Sequence, residues 1–275
     1  VFIILIFVLS TANHYSQDLD SNTVIFSISG GIYQETIQLE LSTLGEKIYY
    51  TTNGKKPSSS SKRYSDTINL DKTTPIRAVA YKNGKPGKIV TQTYLIGREY
   101  NMAVISITGN PDGFFSFDRG IYVKGCCADS VPPYKRANFW KGWERRINIE
   151  FYEPTGELGF NQRVGVRIFG GFSKGLPMKS LAIISRKKYE KKTIKYPIFP
   201  NKDIKKYKSF VLRNSGSDFN NTQFRDALLT NLIEPLDVGI QAYRPAVVFI
   251  NGVYWGIHNV REKINEYYLK STAGA

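Results

Sequence analysis

Turn dipeptides set between short runs of apolar residues constrain this chain more than any other feature of it. Asn53-Gly54, the serine run Ser58 to Ser61 and Asn83-Gly84 separate IQLEL (37–41), KIYYTT (47–52), DTINL (66–70) and PIRAVAY (75–81). Asn-Gly suits a two-residue hairpin loop because both central residues must take positive φ. Several strands at this spacing predict a small β-sandwich over residues 24–97. After Arg98 the texture changes but the punctuation persists. Ile147, Ile149 and Phe151 alternate with Asn148, Glu150 and Tyr152, and Pro154-Thr155-Gly156 turns the chain toward Val164, Val166 and Ile168. AVVFI (246–250) and VYWGIHNV (253–260) flank Asn251-Gly252 as a further hairpin. Between Asn221 and Glu234, Phe224, Ala227, Leu228, Leu232 and Ile233 recur at helical spacing, and Pro235 ends the run. A second amphipathic helix is expected from near Glu262 through Leu269. The expected fold class is α+β: a β-sandwich, then a mostly antiparallel sheet with a packed helix.

The segment RIFGGFSKGLPMKSLAI (167–183) places glycines, Ser173 and Lys174 between two apolar runs. It is not a P-loop, because Gly175 is followed by Leu176 and Lys174 stands on the wrong side. It is not a dinucleotide loop either, since Gly170 and Gly171 are adjacent and the downstream run has strand composition. Strand, glycine turn, strand remains. On the residues alone this is either a hairpin whose glycines serve backbone geometry or a loop laid over nucleotide phosphates.

A chain of 275 residues with 41% hydrophobic residues can bury one large core or two smaller ones. Its net charge of +15 favours anionic partners without choosing among them. VFIILIFVLSTA (1–12) matches the core and cleavage region of a secretory signal and is too short for a membrane span, which predicts export and a start lying upstream. Cys126 and Cys127 are neighbours, which cannot form an ordinary disulfide without strain, and no cysteine zinc site is readable. With only His14 and His258, a multi-histidine metal site is not expected, whereas carboxylates remain able to bind Mg²⁺. A basic stretch from Arg186 to Lys208, interleaved with Tyr189, Tyr196, Phe199 and Tyr207, reads as a solvated hairpin face, a dock for an acidic substrate or a single-strand nucleic-acid platform. The solvated face is preferred, and no specific nucleic acid is expected as a partner.

Two stretches resemble known families. IYYTTNGKKPSSSSKRY followed by IRAVAYKNGKPGKIVTQTYLIG resembles the β-sandwich at the C-terminus of chitobiases, which implies an adhesion or packing accessory. From Ala103 to Leu269, the pieces AVISITGNPDGFF, ANFWKGWERRINIEFYEPTGELGFNQRVGVRIFGGFSKGLPMKSLAI, FRDALLTNL and YRPAVVFINGVYWGIHNVREKINEYYL resemble the spore coat protein H (CotH) kinases. That resemblance implies an atypical protein-kinase-like N-lobe over 103–275, with ATP and Mg²⁺ as cofactors and serines of an exported protein as acceptors. It places Arg167, Gly170, Gly171, Ser173 and Lys174 over the phosphates and Lys179 in contact with them. It also makes Asp226 a possible partner of Lys179 and puts Glu262 near the adenine or the loop, while His258 stands where many members carry tyrosine. The family's catalytic and metal-binding aspartates lie downstream of the segment REK (261–263). In this protein they are expected downstream of Ala275, so the chain is expected to be a fragment without the second lobe. A non-catalytic scaffold at the cell surface, meeting an anionic polymer there, is the competing expectation.

Overall fold

A computed structural model describes residues 22–233, 236 and 239–272. The expected signal segment, Glu234, Pro235 and Ala275, past which the catalytic aspartates are expected, lie outside the described residues. The first ten strands are β1 (Val24–Phe26), β2 (Gly31–Tyr33), β3 (Ile37–Leu39), β4 (Leu41–Thr43), β5 (Lys47–Thr51), β6 (Lys62–Arg63), β7 (Ile68–Leu70), β8 (Thr74–Lys82), β9 (Lys85–Pro86) and β10 (Val90–Ile96). The main sheet runs β2-β10-β8-β5-β6, with β9 on β8, and the pairs β1-β4 and β3-β7 lie apart from it. Alternation explains the two layers. Ile48, Tyr50, Ile76, Ala78 and Ala80 on one side and Val24, Leu39, Leu41 and Leu70 on the other close one buried cluster. The turn residues Asn83 and Gly84 take φ of 52° and 70°, as an Asn-Gly hairpin requires.

The second unit holds β11 (Ala103–Gly109), the short helix α1 (Pro111–Phe115), β12 (Arg145–Tyr152), β13 (Leu158–Phe169), β14 (Ser180–Ile184), β15 (Ile194–Lys195), β16 (Lys206–Tyr207), β17 (Ser209–Arg213), α2 (Arg225–Leu232), β18 (Tyr243–Ile250), β19 (Val253–Glu262) and α3 (Glu266–Thr272). Seven of these strands form a closed barrel, β11-β12-β13-β14-β17-β19-β18. The expected, mostly antiparallel sheet is present, and it closes on itself as a barrel. β11 lies parallel to β18, Ala103 opposite Ala246, and this single non-local pairing closes the sheet. The interior is filled by Ile105, Ile149, Phe151, Val164, Leu181, Phe210, Val248 and Val260, and Phe114, Ile121 and Phe139 from the loop after β11 join the same cluster. The α+β class also shifts toward β, with 40% strand against 12% helix.

The expected packed helix is present as α2, but its apolar side faces outward. Only Ala227 is buried, while Leu228, Leu229, Leu232 and Ile233 are exposed. Cys126 and Cys127 are joined to each other as a bond between neighbours; their Cα atoms are 3.8 Å apart, as in any trans pair.

The two units meet along a mixed patch. Leu95 from β10 packs with Val104, Tyr152, Val247 and Phe249, and Tyr100 and Met102 of the connector join them. Beside this cluster Glu150 is fully buried. Its carboxylate accepts from Thr93 N (3.0 Å), Thr93 Oγ1 (2.5 Å) and Tyr152 Oη (2.9 Å), and Thr93 Oγ1 shares a further hydrogen bond with Ser106 (2.8 Å). Burial pushes the Glu150 carboxyl up to about 7.

Candidate functional site

The glycine turn lies where the sequence places it, between β13 and β14, with a 3₁₀ turn over Phe172–Gly175. Gly170 has φ of 105° and a Cβ there would stand 2.7 Å from Ser173 Oγ, so only glycine fits; a Cβ on Gly171 would meet nothing within 4 Å. Both glycines are exposed, and Arg167, Ser173 and Lys174 are half-buried around them. Lys174 lays its ammonium 4.4 Å over the Trp140 ring. Its pKa is lowered by burial and then by the charge of Arg167. Two cations thus stand near one another with no carboxylate within 4 Å of either among the described residues, an arrangement that an anion would relieve.

Lys179 occupies an unexpected place. It is 4% exposed, lies 4.1 Å over the Phe139 ring, and donates to the carbonyls of Lys174 (2.6 Å) and Leu176 (2.9 Å). Burial, then Lys124, pull its pKa down to about 8. The ammonium holds the turn's own backbone. Asn214, which sequence reasoning did not single out, performs the same task from β17's end: its Nδ2 donates to Met178 O (2.6 Å) and Ser173 O (3.3 Å), and its Oδ1 accepts from Ser180 Oγ (2.8 Å). His258 is buried beside them, its Nε2 3.3 Å from Lys179 O and its Nδ1 unpartnered, and desolvation lowers its pKa to about 4, so the ring is neutral.

Asp226 does not reach Lys179. It pairs with Arg261 (3.0 Å) and Arg213 (3.4 Å), whose guanidinium groups lie on the outer face of the barrel under α2. Register explains the separation. Arg167, Ala182, Val211 and Arg261 form one cross-strand row, so Arg167 and Asp226 share the outer face. Glu262 is in register with Phe210 and Ile183, one row further from the turn. Four residues along β14 part Lys179 from that row, a rise of about 13 Å. Glu262 accepts there from Lys202 Nζ (3.0 Å) and Ala242 N (2.9 Å). The structure therefore brings Gly170, Gly171, Ser173, Lys174 and Lys179 together at the turn, sets Arg167 on the outer face within reach of the Lys174 charge, and leaves Asp226 on that outer face and Glu262 one row beyond.

Of the aromatic residues in the basic stretch, Phe199 and Tyr207 are core, while Tyr189 donates to Glu144 and Tyr196 to Glu153. Among the described residues no group of three or more His, Cys, Asp or Glu side chains is placed to hold a metal ion, and no helix is long and apolar enough to cross a membrane.

Residues 166–275 match the CotH kinase protein family, and residues 28–92 match the chitobiase/beta-hexosaminidase C-terminal domain. The two matches fall in the order the sequence suggests, the chitobiase-type segment preceding the CotH-type one. Among curated proteins no relative matches it. The CotH match spans the glycine turn, Lys179, Asp226 and Glu262, and it suggests a protein kinase-like function. The family as a whole implies ATP with a divalent cation.

Proposed function

We propose that this protein takes part in phosphoryl transfer from ATP to serines of an exported or cell-surface protein, with the glycine turn as its phosphate-binding element. The observation that carries the reading is the pair Arg167 and Lys174, two cations without a carboxylate partner, flanking exposed Gly170 and Gly171 inside the segment that matches the CotH kinases. Backbone N–H groups of a glycine turn and two cations are chemically suited to phosphate oxygens. ATP would be held by Arg167, Lys174 and the turn backbone, which orient the phosphates. Lys179 and Asn214 act on the turn itself by fixing its carbonyls and its shape. A divalent ion would neutralise charge on the phosphates, but the described carboxylates do not form a ligand set for one, so no step is assigned to it. The carboxylates that orient the acceptor serine and hold the ion are proposed to lie downstream of Ala275, as the family resemblance implies.

Isothermal titration of ATP into the protein, with and without Mg²⁺, tests this. Arg167→Ala and Lys174→Ala should each weaken binding by about tenfold, the loss of one charge-assisted contact. Unchanged binding in both variants removes the turn from the site. A second reading, a cell-surface scaffold, is favoured by Lys179, two of whose three donors are engaged inside the turn. Absence of labelled phosphate transfer by the full-length protein, over a range of serine-bearing acceptors, would decide for the scaffold.

A further inference from the structure

We propose that the lysine-rimmed cavity where β16, β17, the end of β19 and α3 meet is a docking site for an acidic peptide segment. The cavity measures about 260 Å³ and is lined by Lys206, Lys208, Lys263 and Lys270, with Tyr207 and Glu262 in its wall. None of these four lysines has a carboxylate within 4 Å among the described residues, although the adjacent Lys205 and Lys202 do. Glu262 does not offset them, because it is already matched by Lys202 and by the Ala242 N–H. Four lysines therefore line a space that the described residues leave without a paired counter-charge for them.

A second observation is independent of charge. Tyr207 is 6% exposed, and its hydroxyl is a buried polar atom with no hydrogen-bond partner. A buried hydroxyl left unpaired costs stability, and a ligand acceptor reaching into the cavity would satisfy it. Lys263, also in the lining, has its pKa lowered by burial first and then by the charges of Arg167 and Arg186.

The aromatic residues decide the ligand's class. Tyr267 and Tyr268 also line the cavity, which would suit a sugar or a base if their faces were free. One face of each already carries a cation: Lys208 Nζ lies 5.6 Å over the Tyr267 ring and Lys202 Nζ 5.7 Å over Tyr268. With four lysines against two tyrosines in the lining, charge outweighs stacking. What remains is recognition of carboxylate or phosphate side chains by point charges. Lys206 and Lys208 stand two residues apart on one run of chain, a reach of about 7 Å, which is the spacing of alternate side chains along an extended peptide. The inference rests on the kinase reading only for its purpose, which is to hold a serine-bearing acceptor.

Fluorescence anisotropy with a labelled peptide of alternating glutamate and serine, without ATP, tests it. Lys208→Ala/Lys263→Ala should weaken binding by at least about tenfold. Lys191→Ala/Lys192→Ala, which removes the same charge from exposed positions outside the cavity, should change it by less than about twofold. Tyr207→Phe should weaken binding several-fold and leave the melting midpoint in place or raise it. Equal losses in the two double variants would reduce the effect to diffuse charge and overturn the proposal, as would no binding of the peptide. Tighter binding of a sulfated oligosaccharide or of single-stranded DNA would overturn the peptide assignment. Loss of ATP binding and transfer with peptide binding intact would sink the kinase reading and leave the docking site standing.

Discussion

The ammonium of Lys179 reaches the backbone of the turn that precedes it, and its neighbours give the reason. Phe139 closes the space beside it, and Lys174 O and Leu176 O offer two acceptors at hydrogen-bond distance. Lys179→Ala would leave both carbonyls short of a donor, so it should cost about 1–3 kcal/mol of stability, read as a fall in the melting midpoint. A midpoint that does not move would return Lys179 to the class of solvated strand-end lysines. Protonation gives a second measurement. The folded pKa of about 8 is below the ordinary value of 10.5, so between the two the unfolded chain binds more protons and stability rises with pH. The stability difference between the native chain and Lys179→Met should therefore grow in favour of the native chain from about pH 8 upward. The turn itself was legible in the sequence, because adjacent glycines between two strand-like runs permit little else. The lysine's partners were not, because a Lys-Ser pair at the head of a strand carries no sign of the phenylalanine that covers it.

At the scale of elements, α2 separates what periodicity reveals from what it does not. The spacing of Phe224, Ala227, Leu228 and Leu232 makes a helix, and a helix forms, yet only Ala227 is buried. The helix is held by charge: Asp226 meets Arg213 and Arg261, and the Arg261 side chain is buried. Leu229→Ser should thus change stability by less than about 0.5 kcal/mol. Asp226→Asn should cost about 1–2 kcal/mol, since it leaves a buried guanidinium without its counter-charge, the partial exposure of Asp226 limiting the loss. Chemical denaturation of the two variants checks the order, and a larger loss for Leu229→Ser would mean that the apolar face is covered. The hairpins were legible because Asn-Gly chemistry is local. Barrel closure was not, because it depends on β11 finding β18 from the far end of the domain, and a run such as AVISITG looks the same in an open sheet.

For the molecule as a whole, the two units have separate cores but share the patch around Glu150, Leu95 and Tyr152. A polar residue at an alternating position, as Glu150 is in β12, gives no sign in the sequence that its face of the strand is covered; here β10 of the sandwich covers it, and Thr93 supplies both a backbone and a side-chain donor. This junction should make the described part of the chain melt as one cooperative unit, and two resolved transitions in calorimetry would refute that coupling. It also sets a pH dependence. The Glu150 carboxyl ordinarily titrates near 4.5 and is raised to about 7 in the fold, first by desolvation, against the pull of Thr93 and Tyr152. Between these values the folded protein keeps a proton that the unfolded chain has lost. Stability therefore falls as pH rises through the window, by on the order of 3 kcal/mol in total. Glu150→Gln keeps the shape and carries no charge, so the fall should disappear in that variant. Urea unfolding of both proteins at about pH 5 and about pH 8 measures it. The native chain should lose stability across the interval relative to the variant; parallel behaviour would mean that the carboxylate stays ionised in the junction, held by its donors despite its burial.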